Sequence, residues 1–220
     1  MAAGDISDAL VADLELRLED AASSTFTDAI KFKALEVAQI QLAHMLDNSY
    51  LTELETLEQT LTVSSSYVAF SGLANTVFRG HEGIIRAALQ FGGTGSYYWC
   101  TRLDIDRLKR LENTYMDGSD TNPLFWTFQQ RVYFDATTPN NDKAKILYLK
   151  YPTAITTDVD PTLNSSLHPL MVIMAEAYCW ALDGKLDRRK AALDIAFTEI
   201  KNLNERVTPA EGIGTRGRLN

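Results

Sequence analysis

The sequence predicts a mainly α-helical protein with a β-rich insertion: a four-helix bundle formed by two N-terminal and two C-terminal helices. Three observations predict it. Apolar residues recur at helical spacing before residue 58 and again after residue 161. Between them the texture changes to Thr, Val, Ser and aromatic residues punctuated by glycine and proline. The acidic excess is confined to the first of these stretches. The 220 residues therefore divide into 1–58, the N-terminal helices; 59–160, the β-rich insertion; 161–207, the C-terminal helices; and 208–220, a C-terminal arm.

The first helix is predicted by Ile6, Leu10, Leu14 and Leu18, spaced by four, with Val11 beside them and acids between. Ser7 or Asp5 is the expected cap. A second helix begins near Thr27, whose hydroxyl suits the free first amides, and runs to about Asn48. Ala34, Ala38, Leu42 and Met45 form its stripe, widened by Leu35, Val37 and Leu46, which implies burial between other elements. Gln59 to Ser66, Tyr67 to Phe70, Gly83 to Phe91 and Ser96 to Cys100 read as short strands, because β-branched and aromatic residues suit a pleated surface. Ile105, Leu108 and Leu111 mark a short amphipathic helix. Thr127 to Asp135 and Lys145 to Tyr151 read as strands paired around the turn Thr138-Pro139-Asn140-Asn141. After Pro161, Pro169 suits a first helical turn. From Leu170 to Leu182 the residues are apolar on every side, the mark of a core helix, and Gly184 follows as its C-cap. The last helix spans about Leu186 to Val207, with Leu193, Phe197, Ile200 and Leu203 in one stripe and Pro209 ending it.

Composition excludes several classes. With 45% apolar and 23% charged residues the chain is neither disordered nor collagen-like. The net charge of −8 is strongly positional: residues 1–58 hold twelve acids against three bases, and residues 59–220 hold seventeen against eighteen. Cys100 and Cys179 fit neither a disulfide framework nor a zinc knuckle and read as reduced, buried thiols. No secretory signal opens the chain, and Leu170 to Leu182 is too short for a membrane span, so a soluble intracellular product is expected.

The chemistry-bearing motifs are sparse. His44, His81 and His168 have no helical i, i+4 partner, and His168 before Pro169 reads as a structural residue at a helix start. Gly92-Gly93-Thr94-Gly95 lacks the Lys and hydroxyl of a phosphate loop and leads into Tyr97-Tyr98-Trp99, so it reads as a turn. Asp117-Gly118-Ser119-Asp120 and Asp158-Val159-Asp160 lack the remaining ligands of a calcium loop and also read as turns. Arg107-Leu108-Lys109-Arg110, Arg188-Arg189-Lys190 and the aromatics at 97–99 are the features of a nucleic-acid surface, but an acidic chain has the wrong electrostatic footprint for binding a duplex. No catalytic, cofactor-binding or metal-binding residues are expected.

The order of local patterns resembles the tailed-bacteriophage head-to-tail connector adaptor proteins. Phe26-Thr27-Asp28 leads a helix with Ala38-Gln39-Ile40-Gln41-Leu42-Ala43, and a Thr-rich β region follows. Tyr148-Leu149-Lys150-Tyr151-Pro152 and Thr157-Asp158 precede His168-Pro169-Leu170-Met171, which opens a core helix with Ala175-Glu176-Ala177, and a charged last helix closes the series. The resemblance covers about residues 5–207. It implies a structural, non-enzymatic virion protein at the head–tail junction, assembled in the host cytoplasm. It implies a homo-oligomeric ring, commonly of twelve copies, that binds the phage portal protein on one side and tail or neck proteins on the other. DNA would pass through the ring without specific binding, and no membrane is involved. A different neck or tail subunit, of the tail-completion or terminator type, is the alternative; a small hydrolase or nucleic-acid-binding factor lies outside both.

Two sets of residues carry that expectation. In the arm, Ile213 and Leu219 are candidate apolar anchors and Arg216 and Arg218 candidate polar grips for the portal. Asp8, Asp13 and Glu15 are candidates for pairing with Arg188, Arg189 and Lys190 of a neighbouring protomer. The alternative for the acids is a channel lining that repels DNA phosphates.

Overall fold

The computed structural model describes residues 5–20, 23, 25–103, 119, 121–135 and 142–207. They belong to two compact units, one made of Met1–Glu53 with Pro152–Asn220 and the other of Leu54–Tyr151.

The first unit contains α1 (Asp5–Leu18), α2 (Asp28–Met45), α3 (His168–Leu182) and α4 (Leu186–Val207). Leu10, Val11, Leu14 and Leu18 are the buried apolar side of α1. The backbone amides of Ile6 and Ser7 donate to Asp160 Oδ1 at 3.1 and 3.0 Å, so a carboxylate from far along the chain sits at the positive end of the helix dipole. Between α1 and α2 the buried Asp20 carboxylate accepts from the amides of Thr25 and Phe26. Thr27 occupies the N-cap position of α2, but its hydroxyl makes no capping bond. That helix ends at Met45, short of Asn48, where a 3-10 turn capped by Asp47 takes over. Inside α2 the buried Gln39 amide donates to the Thr153 carbonyl and accepts from the Thr162 amide, fastening the returning chain to the helix.

Helix α3 is buried on most sides, as its composition requires, with Pro169 in its first turn. Gly184 follows it at φ +71°, a left-handed conformation that favours glycine. α1, α2 and α4 each pack against α3. The stripe of α4 is rotated from the predicted one: Ala192, Ala196 and Ile200 are buried, while Phe197 is 48% exposed.

Among the described residues the second unit holds eight strands: β1 (Glu55–Thr62), β2 (Tyr67–Ala69), β3 (Ile84–Gln90), β4 (Tyr98–Trp99), β5 (Thr101–Arg102), β6 (Leu124–Phe128), β7 (Arg131–Phe134) and β8 (Lys143–Leu149). They form two four-stranded sheets, ordered β1-β8-β3-β4 and β2-β7-β6-β5. The first is antiparallel throughout; in the second, β5 runs parallel to β6. Alternate residues of both sheets converge on one buried cluster that includes Val68, Ile84, Leu89, Phe125, Val132 and Ile146. The pairing expected between Thr127–Asp135 and Lys145–Tyr151 is not found. β6 and β7 form a hairpin with each other, and β8 lies between β1 and β3 in the other sheet. The helix expected at 105–111 and the turn at Thr138–Asn141 lie outside the described residues.

The predicted fold class, a mainly α four-helix bundle carrying a β-rich insertion, is overturned. The described residues contain four α-helices and two four-stranded sheets, which makes this a mixed α/β fold with substantial β-sheet. The physical reason is that the strands bury an apolar core of their own rather than decorating a helical one. The helices, for their part, take α3 as a common neighbour.

Candidate functional site

The charged residues singled out on α1 and α4 fall into two groups, those used within the chain and those left outward. Glu15 points inward to α2. Its Oε1 lies 2.6 Å from the ammonium of Lys31, a lysine with no exposed surface that also donates to Ser23 Oγ at 2.7 Å. Arg188 is also engaged, its guanidinium lying 4.8 Å from the ring centre of Trp180. The Trp180 indole donates to Glu176 Oε1, and the other oxygen of Glu176 bonds Arg17 at 2.6 Å. Asp8, Asp13, Arg189 and Lys190 are exposed, and among the described residues none of them has an ion-pair partner. The structure therefore separates Glu15 from Asp8 and Asp13, and Arg188 from Arg189 and Lys190. Ile213, Arg216, Arg218 and Leu219 lie outside the described residues.

Apolar strips lie beside Asp8 and Asp13 on α1 and beside Lys190 on α4. At 100° per residue, Ala9, Ala12 and Leu16 fall within about 60° of one another on α1, with Asp8 and Asp13 on either flank. All three are exposed, Leu16 to 75%. Beside them runs a groove of about 300 Å³ between α1 and α3, lined by Asp13, Leu16, Arg17, Pro169, Val172 and Ile173. On α4, Leu186, Leu193 and Phe197 lie within about 40° of one another, with Lys190 at their edge. Leu186 is 65% exposed and Leu193 half-buried. This seam arises because the apolar arc of α4 is wider than the side that α3 covers.

The β unit presents aromatic surfaces of its own. Tyr67, Tyr133 and Trp126 stand opposite one another on β2, β7 and β6. Trp126 and Tyr133 stack with their rings 6° from parallel, and Arg131 lies 4.3 Å from the centre of the Tyr67 ring. Val68, Val132 and Phe134, which alternate with these residues, point into the core, so the ladder is the outer face of its sheet. Sequence reasoning noticed the aromatics at 97–99 and missed this row. Its signal was the period-2 alternation in Arg131–Phe134, visible only once the strand limits are known. Tyr98 and Trp99 lie on a short edge strand and are exposed, while Lys145 sits over Tyr97.

The remaining candidates are structural in their contacts. A His168 ring nitrogen lies 3.0 Å from the Leu163 carbonyl. Burial pushes the thiols of Cys100 and Cys179 up to about 12, which leaves neither poised as a nucleophile. Gly92 donates its amide to Asp142 Oδ1, closing the glycine-rich turn. Thr156 and Val159 bond each other across the Asp158 turn, and Asp160 caps α1. Among the described residues no three His, Cys, Asp or Glu side chains are grouped to hold a metal ion, and no helix is long and apolar enough to cross a membrane.

No protein-family model matches the chain, and no curated protein matches it.

Proposed function

We propose that the protein is a ring-forming adaptor subunit at the head-to-tail junction of a tailed bacteriophage, a structural component through whose channel DNA passes without specific binding. The observation that supports this reading most is the pair of apolar strips on the helical unit, Ala9–Ala12–Leu16 on α1 and Leu186–Leu193–Phe197 on α4. Single exposed apolar residues are ordinary, but contiguous strips edged by charge are the mark of surfaces made to be covered by protein. Two strips on two different helices suit a ring subunit, which meets one neighbour with one face and the next with another. The order of sequence patterns adds the portal as a further partner, with residues 208–220 as the docking arm.

The test is electron microscopy of the purified protein, alone and mixed with the portal. Rings, or added density beneath the portal, are expected. A chain that stays monomeric and never binds portal overturns the reading. Removing residues 209–220 is expected to abolish portal binding and leave the helical circular dichroism intact; undiminished binding refutes the arm.

A further inference from the structure

We draw no further inference here: the strongest candidate, the aromatic row of Tyr67, Tyr133 and Trp126 with Arg131 on the outer face of the β2-β7-β6-β5 sheet, carries nothing, because nothing in the structure shows what covers that face.

Discussion

Replacing Glu15 with Gln is expected to destabilise the helical unit by about 2–3 kcal/mol, whereas replacing Lys31 with Met is expected to cost less than about 1 kcal/mol. The asymmetry follows from where the charges sit. Lys31 has no exposed surface, and its ammonium is held by Glu15 Oε1 at 2.6 Å, Ser23 Oγ at 2.7 Å and, more loosely, Asp28 Oδ1 at 3.5 Å. Glu15→Gln keeps the shape and removes the nearest negative charge, stranding a cation away from water. Breaking a buried pair in this way costs about 3–5 kcal/mol when nothing else compensates. Here Asp28 remains, and the partly exposed Glu15 is not fully desolvated to begin with, so a value below that range is expected. Lys31→Met removes the buried cation itself, fills nearly the same volume, and leaves Glu15 free to turn toward solvent.

Urea unfolding followed by helical circular dichroism reads the difference. With a slope of about 2–3 kcal/mol per molar urea, Glu15→Gln lowers the midpoint by about 1 M and Lys31→Met moves it only slightly. Equal losses in the two variants, or no loss for Glu15→Gln, would refute the reasoning. Because Glu15 faces α2, Glu15→Gln is also expected to leave self-association unchanged at urea-free concentrations where the fold is intact.

Four further substitutions have expected outcomes of their own. Gly83→Ala places a Cβ 1.8 Å from the Phe78 carbonyl oxygen, a backbone atom that cannot step aside, so a loss of about 3 kcal/mol is expected in the β unit. Gly184→Ala meets open space and pays only for φ +71°, about 1 kcal/mol; urea midpoints should rank the two accordingly. Asp160→Ala removes the acceptor of the Ile6 and Ser7 amides, costs about 1 kcal/mol, and speeds hydrogen exchange selectively in the first turn of α1. Burial raises the Cys179 thiol from near 9 to about 12, so the native state keeps a proton that the unfolded chain loses. Stability is therefore full below about pH 9 and falls as pH rises toward 12, by at most about 1.4 kcal/mol per unit for this group, and Cys179→Ala is expected to flatten that slope.

What the sequence made legible follows its periodicities. α4 occupies the predicted Leu186–Val207, and β3 lies one residue inside the predicted Gly83–Phe91, because each has an unbroken apolar period and a clear terminator. The β6–β7 hairpin was illegible for a definite reason. Its two-residue turn is Gln129-Gln130, both with positive φ, where a sequence reading looks for Asn-Gly or Asp-Gly. Without that turn, Thr127–Asp135 reads as one strand, the second sheet loses a member, and the β region shrinks to an insertion on a bundle. The cap of α1 was hidden in another way: Asp160 is 154 positions from Ile6, and no local rule connects them.

The charges show most clearly where sequence reasoning stops. Counting places nine net negative charges in residues 1–58, and every acid in the count is equivalent. Folding makes them unequal. Glu15 neutralises a buried lysine, Asp20 holds a turn and Asp47 caps one, so much of the apparent acidic excess is internal structure. The same sorting applies to Arg188-Arg189-Lys190, whose first member lies against Trp180. Asp8 and Asp13 on α1 stay exposed without an ion-pair partner among the described residues, and on α4 the exposed Arg189 and Lys190 are interspersed with the equally exposed Asp187 and Asp194. That is why neutralising Glu15 is expected to unfold the helical unit more readily, while reversing the exposed Asp8 and Asp13 is expected to leave it folded.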